Sequence, residues 1–249
     1  MRLIKLRETW ILFVKEIKDV FQGPLIYILT GTFCLLIGWL FFNYLLGAGR
    51  LTSLNMTSAV IVPIFGNMNF MFLFLAPMLT MRLIAGEKKA HTIELLFISN
   101  LNHFQIIVAK FMASLCMVLF MLLFTVVFPV ILHLSGYSDW GTVGSAYLGM
   151  ILSIMCYLSV GMFTSSLTEN QIVAAFTSFG ILMGLMLLVV SVNATNNWML
   201  GNIVQYLSIP VHYESFVRGA IRSYDFVYFF SFIGFFLWLT DRSLESRNW

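Results

Sequence analysis

Charge is scarce in this 249-residue chain: Asp, Glu, Lys and Arg make up 10% of the residues, whereas hydrophobic residues make up 60%. A soluble domain carries about a quarter charged residues, so this composition excludes an ordinary soluble domain. The charge-free stretches run from Gly23 to Gly49, Leu51 to Met81, Phe111 to Ser138, Trp140 to Thr168 and Asn170 to Tyr213. Each of them could cross a hydrocarbon core, which takes about 20 helical residues.

Catalytic and metal-binding motifs are missing as well. The chain has no GxxxxGK[ST] phosphate loop, no HExxH, no CxxC and no GxSxG, and we therefore expect neither enzymatic activity nor a cofactor or metal on this chain. Cys34, Cys116 and Cys156 lie far apart inside apolar runs, which predicts buried thiols rather than a disulfide or a zinc site. The N-terminus lacks the short apolar core and cleavage site of a signal peptide, so we expect the first span to be retained.

Acidic residues are also missing from the centres of the apolar runs. A carboxylate at that depth costs about 2.5–3.5 kcal/mol on insertion scales and usually marks an ion or proton pathway. Its absence disfavours a proton- or sodium-coupled transporter, so a transported substrate would need another energy source. The net charge of +3 says little about partners, and nothing in the sequence indicates nucleic acid.

The apolar runs predict an all-α integral membrane protein, because lipid leaves only helices or closed barrels able to satisfy the backbone and the runs are too long for alternating strands. We expect one transmembrane domain over residues 1–249. An amphipathic helix at 1–22 would lie along the membrane surface, with Trp10 at headgroup depth. Its charged residues, Glu16 among them, fall mostly outside an apolar face whose members recur at three- and four-residue steps: Leu3, Leu6, Trp10, Phe13, Ile17 and Val20. Six spans are predicted at about 25–46, 59–80, 105–133, 143–166, 171–192 and 225–240.

The distribution of basic residues predicts the orientation of these spans. With the N-terminus in the cytoplasm, the inner side receives eleven Lys and Arg residues and the outer side three. Cytoplasmic loops carry the excess of positive charge, so we expect both termini on the cytoplasmic face of the membrane. The inner residues are Arg2, Lys5, Arg7, Lys15, Lys18, Arg82, Lys88, Lys89, Lys110, Arg242 and Arg247; the outer ones are Arg50, Arg218 and Arg222.

A charged, helix-prone block at residues 82–103 separates the second and third spans. We expect a cytoplasmic coupling helix, with Leu83 and Ile84 facing the bundle and most charges facing water or a soluble partner. The alternative is a solvated loop whose charges only fix the topology. The predicted partner-contact residues are Glu87, Lys88, Lys89, His91, Thr92 and Glu94.

The stretch from Asn193 to Asp225 does not fit a simple span, because it combines an asparagine-rich turn with several charged and aromatic residues. Glu214, Arg218 and Arg222 are spaced by four, which would place them as ion pairs on one helix face. We expect a re-entrant element at the outer leaflet, with Tyr213, Glu214 and Arg218 at an outer gate.

Three stretches resemble the ABC-2 type permeases. They are Gly86-Glu-Lys-Lys-Ala-His-Thr-Ile-Glu-Leu-Leu-Phe-Ile-Ser with Gln105-Ile-Ile-Val-Ala-Lys-Phe, the run from Gly161 to Ala175, and the tail from His212 to Trp249. The sequence departs from the family pattern at His91 and Ala109, where the family usually has glycine, and at Asn100, where it often has proline. The tail and the short loops look most like gliding-motility-associated and copper-maturation permeases.

The resemblance implies the membrane half of an exporter-type complex with two permeases, identical or homologous, and two ATPase subunits that hold ATP and Mg²⁺. It also implies that residues 1–22 form the connecting helix and that the 82–103 block meets the ATPase. The alternative is a membrane scaffold that anchors an ATPase to an envelope or motility assembly without transporting a substrate. A membrane-embedded enzyme is disfavoured, since Asn67 and Asn69 are the nearest approach to a polar cluster and suit interhelical hydrogen bonds.

Overall fold

The computed structural model describes residues 2–48, 57–92, 102–134, 139–192 and 206–246, and these residues are almost entirely helical. In chain order the helices are α1 (Arg2–Gln22), α2 (Pro24–Ala48), α3 (Val62–Thr80), α4 (Ala85–Lys89), α5 (His103–Thr125), α6 (Val127–Leu134), α7 (Trp140–Leu167), α8 (Gln171–Val192), α9 (Ile209–Val217) and α10 (Ser223–Glu245). A single turn of π-helix, Thr57–Ile61, leads into α3.

Six segments of the described chain are long and apolar enough to cross a membrane, which confirms the predicted all-helical membrane fold. They are Pro24–Gly47, Ala59–Lys89, His103–Leu134, Trp140–Leu167, Gln171–Leu188 and Ser223–Glu245. The last helix is longer than the 225–240 expected from the sequence. The third span is two helices, α5 and α6, because Pro129 has no N–H to donate to the carbonyl of Thr125.

Helix α7 lies at the centre of the bundle and packs against α3, α5, α8, α9 and α10. Glycine permits two of its closest approaches. A Cβ at Gly161 would overlap Thr80 at the end of α3, and a Cβ at Gly149 would overlap Phe216 in α9. The start of α3 lies beside α9, since the Tyr213 hydroxyl donates to the Phe65 carbonyl at 2.9 Å. The bundle therefore has an α4 end and an opposite α9 end.

Helix α1 packs along α5, so its buried face differs from the one that the spacing of its apolar residues predicts. Leu12 joins Ile106 and Ala109 in a small apolar cluster, and Glu16 is buried although it was expected on the polar face. Trp10 is exposed, as a headgroup-level tryptophan would be.

Polar side chains inside the spans make hydrogen bonds between helices. Ser153 of α7 donates to Asn69 of α3 at 2.9 Å, and Asn67 of α3 donates to the Tyr44 hydroxyl of α2 at the same distance. Of the three thiols, Cys156 is buried, whereas Cys34 and Cys116 are half-buried; all three are free.

Candidate functional site

The loop after α3 folds against the end of α7 and forms the first part of the site. Ser165 of α7 accepts hydrogen bonds from the backbone N–H groups of Ile84 and Ala85, at 3.3 and 3.0 Å. It donates to the Met81 carbonyl at 3.2 Å. One hydroxyl thus satisfies N–H groups at the start of α4, which would otherwise lack partners. The short helix is held to α7 by side-chain chemistry.

The described part of the 82–103 block is not one continuous helix. Helix α4 ends at Lys89, and His91 adopts a φ of 54°, in the left-handed region. Glycine adopts this conformation most easily, and His91 is the position at which the resemblance in the sequence expects glycine. The chain therefore turns away from the helix axis here, and residues 93–101 lie outside the described part.

The partner-contact residues predicted from the sequence divide into two groups. Lys89, His91 and Thr92 are exposed, whereas Lys88 is buried and its ammonium group donates to the Ser166 carbonyl of α7. The side chain of Glu87 is only 17% exposed. The expectation that Glu87 and Lys88 face water is therefore wrong, because the short helix turns both towards the bundle; contact of either residue with a partner stays a prediction. Glu94 lies outside the described residues.

Glu87 belongs to a buried ion cluster that the sequence did not single out. Lys110 of α5 lies 2.7 Å from a carboxylate oxygen of Glu87 and 2.8 Å from one of Glu16 in α1. Lys110 is 1% exposed, so a single ammonium group links three helices out of contact with water. The second oxygen of Glu87, Oε2, is buried and has no hydrogen-bond partner among the described residues. We refer to Glu16, Glu87 and Lys110 as the ion cluster.

A cavity of about 390 Å³ opens beside the ion cluster. Its walls come from α1, the start of α2, the loop that carries α4, and the start of α8. The polar side chains that line it are Lys15, Glu16, Asp19, Arg82, Glu87, Thr92 and Gln171. Gln171 also packs against Gly86, where an added Cβ would lie 3.1 Å from its amide nitrogen. Two of the stretches singled out in the sequence, the run from Gly86 and the run from Gly161, thus meet at this end.

At the α9 end the predicted gate residues have different environments. Tyr213 is buried and packs against α3 through its hydroxyl. Glu214 and Arg218 form a surface ion pair at 2.6 Å, with side chains that are 58% and 68% exposed. Exposed pairs of this kind contribute about 0–1 kcal/mol.

Arg222 does not join that ion pair, contrary to the four-residue spacing, because α9 ends at Val217 before reaching it. Its guanidinium instead donates to the Tyr224 hydroxyl at 2.6 Å, and this contact raises the pKa of Arg222. The asparagine-rich turn at 193–205 lies outside the described residues. Within the described chain, no group of three or more His, Cys, Asp or Glu side chains could hold a metal ion.

Six apolar spans with α7 at their centre, together with a short charged helix fixed to one end of the bundle, define a multi-pass helical membrane protein. Its family follows from comparison with known proteins. The profile of the ABC-2 family transporter proteins matches residues 10–240, and the chain belongs to this family. No curated protein matches the sequence.

Proposed function

We propose that this chain is the permease subunit of an ATP-driven exporter and that a separate ATPase subunit docks at the α4 end. Family membership supports a permease of this type. The excess of Lys and Arg in the loops at the α4 end supports a cytoplasmic location for that end and for both termini. A bacterial inner membrane, which the resemblance in the sequence implies, is part of the proposal. A second permease subunit would complete the pathway. The closer similarity to gliding-motility or copper-maturation permeases stays a prediction.

The observation that carries the proposal is the way in which α4 is attached. Its start is held by Ser165 of α7, and Lys88 and Glu87 connect it to α7, α5 and α1. Movement of α4 would therefore be transmitted to three helices, because packed elements move as rigid bodies. In this proposal the surface that touches the ATPase is Lys89, His91 and Thr92, followed by Glu94.

Glu87, Lys88 and Lys110 then have a different role from the one that the sequence indicates. They transmit the movement rather than contact the partner. Tyr213 would couple α9 to the start of α3 at the far end, with Glu214 and Arg218 on its exposed surface. A gate at that end stays part of the proposal.

The test is to isolate the complex in mild detergent and to measure how much ATPase subunit it retains and how fast it hydrolyses ATP. We expect Lys89→Glu together with His91→Glu to lower retention about tenfold or more, because truncating or reversing well-placed interface residues costs about 2 kcal/mol or more. Arg218→Glu is the matched control, since it reverses an exposed charge at the opposite end. It should leave retention unchanged.

Full retention in the double variant would contradict the docking surface. Two further outcomes separate the proposed exporter from a scaffold. If the Lys110→Met variant keeps the ATPase subunit but loses the stimulation of ATP hydrolysis by the permease, the transmission role is supported. If the wild-type permease does not alter the hydrolysis rate of its bound ATPase, the scaffold is favoured over the exporter.

A further inference from the structure

A buried histidine–aspartate pair lies at the α9 end and has no role in the docking proposal. His212 of α9 is 3% exposed and Asp225, in the first turn of α10, is 0% exposed. The Nδ1 atom of His212 lies 2.6 Å from Oδ1 of Asp225. The same imidazole ring stacks on Tyr228, with ring centroids 3.9 Å apart and an interplanar angle of 17°. The ring is thus held on one face and at both nitrogens.

Hydrogen-bond counting shows that this pair contains a proton. The Nε2 atom of His212 lies 2.9 Å from the Tyr206 carbonyl oxygen, which can only accept, so Nε2 must carry a hydrogen. A neutral imidazole has one N–H, and Nδ1 would then turn a lone pair towards a carboxylate oxygen. A contact of 2.6 Å between two acceptors is repulsive. Both contacts are satisfied together only when one more proton lies on the ring or on the carboxyl group.

The second carboxylate oxygen strengthens this conclusion. Oδ2 of Asp225 is buried and has no hydrogen-bond partner among the described residues. An ionised carboxylate in such a place is costly unless it is paired. A proton shared with His212 makes the pair neutral overall, whichever of the two groups carries it.

The surrounding titratable groups come from several elements. Helix α9 carries Tyr213 and Glu214; Tyr206 precedes it, and Arg218 and Arg222 follow it. Helix α10 carries Tyr224 and Tyr228, and the adjoining α7 carries Tyr147, Cys156 and Tyr157. Helix α5, which also packs on α10, carries His103, Lys110 and Cys116, and the first two interact with groups at the α4 end. Helices α3 and α8 carry no titratable side chain. Arg222 interacts electrostatically with Asp225.

We propose that His212 and Asp225 form a proton-binding site that controls how the chain at Tyr206 is attached to α9 and α10. With the proton bound, His212 bridges the Tyr206 carbonyl and Asp225. When the proton leaves to water, the single remaining N–H is needed by the buried Asp225, so the ring keeps Nδ1–H and turns a lone pair towards Tyr206. The hydrogen bond from His212 to the Tyr206 carbonyl is therefore present at acidic pH and lost at alkaline pH. A cavity of about 610 Å³, lined in part by Tyr206, His212 and Asp225, gives the proton access to solvent.

The site is testable in the full-length chain in lipid nanodiscs, because the sequence has only four histidines. Histidine side chains labelled with ¹⁵N would be followed by NMR from about pH 4 to about pH 10. The His212→Gln variant assigns the signal. We expect His212 to carry or share protons at both ring nitrogens in acid and to convert to the Nδ1–H form as the pH rises.

Amide hydrogen exchange of residues 213–217, whose N–H groups donate within α9, reports how firmly this helix is held once it is corrected for the intrinsic pH dependence. We expect protection in the wild type to fall by a few-fold to about tenfold across the same transition, as the loss of one hydrogen bond implies. In Asp225→Asn the amide can donate to Nδ1 of a neutral imidazole whose Nε2–H still reaches Tyr206. This variant should stay protected at every pH. Glu214→Gln, which removes an exposed carboxylate from the same helix, should keep the wild-type transition.

Three results would overturn the proposal. The first is a His212 ring that stays in one neutral form throughout the titration. The second is a proton transition at His212 without any change in the protection of residues 213–217. The third is an Asp225→Asn protein that folds normally but shows the wild-type pH dependence.

Discussion

Replacing Lys110 by methionine would remove the cation that two buried carboxylates share. The Lys110 ammonium lies 2.8 Å from Glu16 and 2.7 Å from Glu87, and the lysine is 1% exposed. Methionine fills a similar volume without charge, so the variant isolates the electrostatic effect. We expect the two carboxylates to be left close together, with only the neighbouring cavity and the more distant Lys15 to compensate their charge.

The magnitude follows from the burial of the cluster. Removing one partner of a buried ion pair costs about 3–5 kcal/mol, because the remaining charge is uncompensated. Replacing all the charges of such a cluster by neutral residues is often neutral or even stabilising. The triple variant Glu16→Gln, Glu87→Gln, Lys110→Met should therefore recover most of the stability that Lys110→Met loses. The three substitutions are strongly non-additive in this account.

The assay is the free energy of unfolding, measured for the four proteins in the same mixed micelles: wild type, Lys110→Met, the double glutamine variant and the triple variant. Glu214→Gln serves as a control for loss of an exposed carboxylate and should cost about 1 kcal/mol or less. The reasoning is refuted if Lys110→Met is as stable as the control. It is also refuted if the triple variant is no more stable than Lys110→Met, since the loss would then come from packing and not from charge.

Two further predictions concern packing and orientation. Gly161→Ala should lower the free energy of unfolding by about 1–3 kcal/mol, because its Cβ overlaps Thr80. The control Gly184→Ala, with open space around its Cβ, should be neutral or stabilising by up to about 1 kcal/mol. Equal thermal unfolding of the two variants would contradict the close crossing of α3 and α7. In a background without native cysteines, Thr92→Cys should react with an impermeant thiol reagent in inside-out vesicles and Glu214→Cys in right-side-out cells, and the reverse pattern would show that the α4 end faces outward.

Much of the fold follows from the sequence because lipid restricts the choice. Long charge-free runs have to be helical, and their ends are marked by charged or turn-forming residues. Gln171–Val192 begins and ends where the sequence predicts. The break in the third span could not be predicted from Pro129 alone, because another proline, Pro77, lies inside α3 without ending it.

The candidate site was predicted less well, for a physical reason. The 82–103 block has the right location and its Leu83 and Ile84 are buried as expected, but a five-residue helix can turn either side to the bundle. The orientation is decided by Ser165, Ser166 and Lys110, which are distant in sequence. A signal existed in part: Lys110 is an isolated charge inside the third predicted span, and a buried charge requires a partner.

The His212–Asp225 pair shows the same limit at the other end. His212 belongs to a stretch that the sequence marks as unusual, and Asp225 begins the last span. Periodicity alone cannot place a histidine in one helix against an aspartate in the next. Four-residue spacing suggested Arg222 as a neighbour of Arg218, whereas the end of α9 at Val217 separates them.

The central claim, that an ATPase docks at the exposed side of α4, is tested most directly by site-specific photo-crosslinking in intact cells. A photoreactive amino acid placed at Lys89, His91 or Thr92 should form a crosslink to a subunit that mass spectrometry identifies as an ABC ATPase, and the same group at Glu214 should not. Crosslinking of the ATPase from Glu214 but from none of the three α4-end positions would contradict the account.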